Sequence, residues 1–152
     1  MKILFVCLGN ICRSPAAENT LRHLAKEQGV SNLKIESAGT ANYHTGKSPD
    51  SRMMRTLQRR NIKVSGSARQ FSKKDFTEFD YIFAMDEENR SNILDLTENE
   101  EEQKRVLPFM LLCPNLPEQE VPDPYYGGPE GFEHVADIVE EGCLNLLRQI
   151  NG

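Results

Sequence analysis

The sequence predicts an α/β fold of three layers, a four-stranded parallel sheet with helices on both faces. Two observations lead there. Short apolar runs of strand length alternate with longer stretches of helical period along the chain. The first run, Ile3-Leu4-Phe5-Val6, is continuously apolar, as a strand covered on both faces must be. A parallel sheet built this way uses right-handed crossovers and binds its ligands beyond the carboxyl ends of its strands. At 152 residues the chain has the size of one ordinary domain, and a single domain over 1–152 is expected.

The first strand is expected over Lys2–Val6. Ser14-Pro15 then signals a helix, with serine as N-cap and proline at the first helical position, where a missing N–H does no harm. That helix is expected to bury Ala17, Leu21, Leu24 and Ala25 and to run to about Gln28, where Gly29 ends it. Leu33–Ala38 reads as a second strand, left through Gly39. Ser48-Pro49 repeats the helix signal for a helix reaching about Arg60. Tyr81–Met85 is the third strand and feeds a helix from near Asp86 to near Leu96. Arg105–Met110 is the fourth, and Pro108 assigns it to an edge. The stretch from Cys113 to Gly131 carries five prolines and three glycines, so a long irregular loop is expected, of the kind that often carries function. Phe132, Val135, Val139, Cys143, Leu146 and Ile150 then fall at helical spacing.

Composition narrows the function classes. The net charge of −5 opposes general binding to nucleic acid or to anionic membranes. No apolar run approaches a membrane span, and Met1–Cys7 is too short an apolar stretch for a signal peptide, so a cytoplasmic monomer is expected. The four cysteines have no framework spacing and are expected as free thiols. The three histidines stand far apart with no metal-binding motif, so neither a metal nor an organic cofactor is expected. Arg52, Arg55, Arg59 and Arg60 form a basic cluster on a predicted helix. It reads as a solvated face, with a docking site for acidic partners as the alternative.

The chemistry concentrates in Val6-Cys-Leu-Gly-Asn-Ile-Cys-Arg-Ser-Pro15, between the first strand and the first helix. Leu8, Gly9, Asn10, Ile11, Cys12 and Ser14 can curl so that several backbone N–H groups point inward, beside the positive end of the following helix. Gly9 and Asn10 suit such a loop because both tolerate left-handed backbone angles. The fork of donors on Arg13 matches two oxygens of a tetrahedral oxyanion. A phosphate-binding loop after the first strand is the expectation. A cysteine at its base sits where thiolate is favoured over thiol, which makes Cys7 a nucleophile aimed at phosphorus. Ser14 can hydrogen-bond its sulfur. Asp123, in Val121-Pro-Asp-Pro-Tyr-Tyr-Gly127, is restricted by flanking prolines and can serve as an acid.

At these residues the chain resembles the low-molecular-weight protein tyrosine phosphatases, whose N-terminal signature is Cys-x5-Arg-Ser. The resemblance extends over Ser37-Ala-Gly-Thr40, Ser48-Pro-Asp50, Ala68-Arg-Gln70, Met85-Asp86 and Asp123-Pro-Tyr-Tyr126. It implies a phosphotyrosine phosphatase with Cys7 as nucleophile, Arg13 as phosphate clamp and Asp123 as general acid and base. It also implies that Tyr43 and Tyr125 wall the cleft around the substrate ring. Expected ligands are phosphotyrosine-containing proteins, small aryl phosphates, and inorganic phosphate or similar oxyanions as inhibitors. The family further suggests Tyr125 and Tyr126 as phosphorylation sites, with surface packing as their alternative. Cys12, five residues after Cys7, can form a reversible disulfide with it or serve only as a small residue whose amide joins the cradle.

Three other readings compete. An arsenate reductase needs two further cysteines close together after the third strand, and Asp86 to Leu107 has none. A protein arginine phosphatase carries a small polar residue where Ile11 stands, and bulky Ile11 favours an aromatic ring over a guanidinium. A silent phosphotyrosine-binding module would lack the acid, whereas Cys7, Arg13 and Asp123 are all present. One position departs from the family: a histidine that commonly holds the loop asparagine is replaced by Gly66, so Asn10 is expected to be held by another group, Ser37 or Ser67.

Overall fold

The structure is a computed structural model and describes residues 1–151. Its elements, in chain order, are β1 (Lys2–Cys7), α1 (Arg13–Glu27), β2 (Lys34–Gly39), α2 (Ser51–Arg59), α3 (Asp75–Glu78), β3 (Tyr81–Ala84), α4 (Glu87–Leu94), α5 (Glu100–Lys104), β4 (Val106–Pro108) and α6 (Pro129–Asn151). The four strands form one parallel sheet in the order β2-β1-β3-β4. The continuously apolar β1 therefore lies in the interior of the sheet, where both of its faces are covered.

Successive residues of β1 point to opposite faces, and each face has its own core. Ile3, Phe5 and Cys7 belong to the larger core with residues of α1, α2 and α6, including Leu21, Leu57, Phe132 and Val139. Leu4 and Val6 belong to the smaller core with Phe71, Phe76, Phe79 and Ile93. Three layers result. Register pairs Cys7 with Gly39 of β2 and Val6 with both Ala38 and Ala84, so β1, β2 and β3 end at one level. Among the described residues, no helix is long and apolar enough to cross a membrane.

Several boundaries differ from the sequence reading, each for a local reason. Ser14 does not cap α1: Cys12 holds the cap position without a side-chain bond, and the Ser14 hydroxyl turns to Cys7 instead. α2 starts at Ser51 because the Asp50 carboxylate, not Ser48, accepts the N–H groups of Arg52 and Met53. Asp86 caps α4 in a reciprocal box with Asn89. β4 stops at Pro108, which has no N–H for the ladder, and Phe109–Leu112 continue as a turn of 3-10 helix. α6 begins at Pro129, so Gly131 lies inside it. α3 and α5 were not expected, since four or five residues are too few to display a helical period.

Candidate active site

The loop Leu8–Cys12 leaves the end of β1 and enters α1, and its carbonyls are tied outward. The N–H of Thr40 donates to Cys7 O and that of Ala41 to Leu8 O, each at 2.9 Å, while Asp50 N–H donates to Ile11 O at 2.8 Å. Across a planar trans peptide, a carbonyl and the next N–H point opposite ways. The amides of Leu8, Gly9 and Cys12 therefore face inward, beside the N-terminus of α1.

Asn10 adopts a left-handed φ of 57°. Its carboxamide fixes the loop from inside, with Nδ2 donating to Ser14 Oγ at 2.8 Å and to Ser37 Oγ at 2.9 Å. Its Oδ1 accepts the Arg69 N–H at 3.0 Å. Ser37, rather than Ser67, thus does the work expected of a substitute for the missing histidine. The Ser37 hydroxyl in turn donates to Glu18. Arg69 is itself held by Asp75 of α3, so that short helix braces the loop at one remove. Ser14 Oγ accepts from Asn10 and lies 3.0 Å from Cys7 Sγ and 3.3 Å from Ala38 O, so its one proton has the sulfur and that carbonyl as acceptors.

Gly9 is not left-handed, in contrast to the sequence reading. A Cβ at that position would lie 2.9 Å from His44 Cδ2, so glycine here serves the close approach of the His44 ring, which a larger residue would displace, rather than a backbone angle. Gly39 serves the same end from β2, where a Cβ would lie 2.7 Å from Leu8 O.

Arg13 is only 3% exposed. Its Nη1 donates to Asp86 Oδ2 at 2.6 Å and to Val121 O at 3.0 Å, and its Nη2 lies 3.7 Å from Asp123 Oδ2. Burial works against the guanidinium charge, but the negative charges of Cys7, Asp86 and Asp123 outweigh it and raise the pKa above its ordinary value. Asp123 itself is 40% exposed. Its Oδ1 accepts the Tyr125 N–H at 3.1 Å, which leaves Oδ2 directed toward Arg13. The segment is anchored where Val121 N–H donates to Met85 O at the end of β3. Asp86 and Asp123 thus bracket Arg13 from two different loops.

Cys7, Leu8, Gly9, Cys12, Arg13 and Asp123 line one cleft, whose walls are Ile11, Tyr43, His44, Tyr125 and Tyr126. Every site residue named from the sequence lies in the cleft or directly beneath it. Tyr43 is 72% exposed at the mouth. The ring facing Tyr125 at 6.0 Å is His44, and Tyr126 packs edge-on against Tyr125 at 4.9 Å. Cys12 is buried and its thiol is held neutral: burial raises its pKa most, followed by the charges of Asp50, Cys7 and Asp123. Both Cys7 and Cys12 are free thiols.

Three participants escaped the sequence reading as site residues: Asp86, Glu18 and His44. An acid directly after the third strand, at the ligand-binding edge of a parallel sheet, was a usable signal for Asp86. Glu18 and His44 offer no local signal, because their roles arise only from tertiary neighbours.

A family model described as low molecular weight phosphotyrosine protein phosphatase matches residues 2–152. The human low molecular weight phosphotyrosine protein phosphatase is 42% identical over 151 residues, covering 97% of this chain and 94% of that protein. A crystal structure of a protein tyrosine phosphatase from Entamoeba histolytica, with Hepes in its active site, superposes with a TM-score of 0.95 at 42% identity, covering 99% of this chain and 97% of that one. That of a Drosophila arginine phosphatase superposes with a TM-score of 0.93 at 30% identity, covering 100% and 99%.

Proposed function

The chain belongs to the low-molecular-weight phosphotyrosine protein phosphatase family, and from that membership we propose that it removes phosphate from protein phosphotyrosine by way of a cysteinyl-phosphate at Cys7. It is a phosphoric monoester hydrolase of the protein-tyrosine-phosphatase class. The observation that carries the mechanism is the convergence of Cys7, Ser14, Arg13 and Asp123 on one cleft, with Arg13 Nη2 3.7 Å from Asp123.

In the first step the Cys7 thiolate attacks phosphorus, forming an S–P bond as the bond to the phenolic oxygen breaks. Asp123, protonated, gives its proton to the departing oxygen. The inward amides of the loop and Arg13 neutralise charge on the three remaining phosphoryl oxygens, which is the largest service a protein renders in this chemistry. Asp86 holds Arg13 in place for that contact. In the second step water attacks phosphorus, Asp123 takes its proton, and the S–P bond breaks. The Ser14 hydroxyl donates to the returning thiolate. Inorganic phosphate is the product and, fitting the same cradle, an inhibitor. The Hepes in the Entamoeba enzyme's active site bears a sulfonate, a tetrahedral oxyanion of the same shape.

Selection among phosphoamino acids follows from the walls. Tyr43, Tyr125 and Ile11 give the cleft above the cradle an aromatic and aliphatic lining, which suits a phenyl ring better than the short side chain of phosphoserine. Ile11 offers no polar group to a guanidinium, which favours phosphotyrosine over phosphoarginine.

The test is phosphate release from a phosphotyrosine peptide and a phosphoarginine peptide side by side, with reductant and chelator present. Phosphotyrosine turnover is expected, and Cys7→Ser abolishes it. Asp123→Ala is expected to slow aryl phosphates with poor leaving groups by about 100-fold or more and those with good ones less. Preference for phosphoarginine, or full activity in Cys7→Ser, overturns the reading.

A further inference from the structure

Beside the cleft, α2 and the start of α6 enclose a second cavity of about 280 Å3, lined by Arg52, Arg55, Thr56, Arg59, Gly128 and Phe132. The arginines of α2 have different partners. Arg60 is bonded to Glu133, Asp137 and Glu140 of α6, which fastens the two helices together. Arg59 reaches Glu133 at 3.3 Å, an acid it shares with Arg60. Arg52 is paired with Asp50 at 2.9 Å. Arg55 is exposed and has no acidic partner among the described residues. Glu130 lies on the Gly128 side of the rim. Three arginines and no carboxylate line the concavity itself, and of the three only Arg55 has no acidic partner among the described residues, in a chain whose net charge is −5.

The cavity adjoins the cleft through one side chain. The Arg52 guanidinium lies 5.3 Å from the ring centre of Tyr125, a cleft wall, and 4.7 Å from that of Phe132, which lines the cavity. The two rings flank Arg52 at the boundary of the two spaces, where Asp50 also bonds its guanidinium. An extended peptide advances about 3.3–3.6 Å per residue, and Arg52 spans the boundary between cleft and cavity, so the side chains nearest a bound phosphotyrosine in sequence are the ones positioned to meet that cavity.

We propose that the cavity is a second substrate subsite, taking the carboxylate of a glutamate or aspartate near the phosphotyrosine in the substrate polypeptide, with Arg55 as its principal cation and Arg52 and Arg59 beside it. The inference rests on the phosphotyrosine reading above and adds to it a preference for acidic sequence. A planar guanidinium suits a carboxylate because its paired N–H donors match two oxygens. The contact lies at the surface, so its strength falls with ionic strength.

The test compares kcat/KM for phosphotyrosine peptides that differ only by glutamate or glutamine one and two positions to either side, at low and high salt, with p-nitrophenyl phosphate as a substrate too small to reach the cavity. A glutamate peptide is expected to be favoured about fivefold at low salt, the upper range for exposed ion pairs, with the advantage shrinking as salt rises. Arg55→Gln is expected to reduce it below about twofold, and Arg55→Lys to keep part of it. Turnover of p-nitrophenyl phosphate is expected to be the same in all three proteins, which separates loss of the subsite from loss of the fold. Equal rates on glutamate and glutamine peptides, or a preference that survives Arg55→Gln, overturn this inference alone. Failure on every phosphotyrosine peptide overturns the phosphotyrosine reading and this inference together.

Discussion

Ser14 stands at the meeting point of two requirements, closing the loop through Asn10 and serving the sulfur of Cys7. Removing its hydroxyl leaves the nucleophile in place but takes away a donor to the thiolate when it departs in the second step. Ser14→Ala is expected to lower kcat roughly tenfold, the scale of one hydrogen bond to a charged group. The loss falls on breakdown of the cysteinyl-phosphate, so rapid mixing with an aryl phosphate should show a clearer burst of phenol release than in the parent. An unchanged kcat would remove Ser14 from the reaction. At this scale the sequence was legible where chemistry is local. Cys7, Arg13 and Ser14 sit within eight residues of one another, and their order alone implied a cradle with a nucleophile. Ser37 was legible as one of two candidates to hold Asn10, whereas Asp86 was not legible as a partner of Arg13, because nothing near Arg13 in the chain announces a side chain 73 positions away.

At the scale of elements, α2 depends on a single carboxylate. Asp50 accepts the N–H groups of Arg52 and Met53 and the side chain of Arg52, while its own N–H holds Ile11 O of the phosphate loop. Burial alone would raise its pKa, but the bonds from Arg52 outweigh burial and leave the carboxyl below its ordinary value. A group lowered in the folded state contributes stability that is present above its unfolded pKa and is lost as pH falls through its folded one. Asp50→Ala is therefore expected to cost about 1 kcal/mol at neutral pH, and the deficit is expected to shrink below the ordinary carboxylate range. Urea midpoints across pH, for parent and variant, measure both. A deficit constant down to strongly acid pH would mean that Asp50 acts through something other than its charge. The helices themselves were legible, as were their buried faces. Their first residues were not, because the Ser14 hydroxyl is turned to Cys7 and the aspartate that caps α2 lies two residues after Ser48. α3 and α5 were hidden by their brevity.

For the molecule as a whole, the two cores on either side of β1 carry the fold, and Phe109 is the hinge of the larger one. Wholly buried, it stands 5.9 Å from Phe5 and 6.5 Å from Phe83 between ring centres, and its ring lies against Gly142 of α6. Phe109→Ala is expected to destabilise the protein by about 3–5 kcal/mol, the range for a buried phenylalanine, read as a lower denaturant midpoint. A loss under about 1 kcal/mol would show that the core collapses around the gap. The architecture was the most legible level of all, since alternation of strand and helix fixes a parallel sheet and one continuously apolar strand marks its middle. The reach of the late loop back to Arg13 was legible only through Asp123 and the family resemblance, because contacts between distant segments leave no periodic trace. That reach also governs how the protein comes to life. Arg13 is gripped by Asp86 and by Val121, 73 and 108 positions along the chain, so the clamp cannot exist until β3 is docked and the late loop has closed over it. A newly made chain can hold most of its helices and still be inert, and the onset of turnover dates the last long-range closure rather than the first collapse.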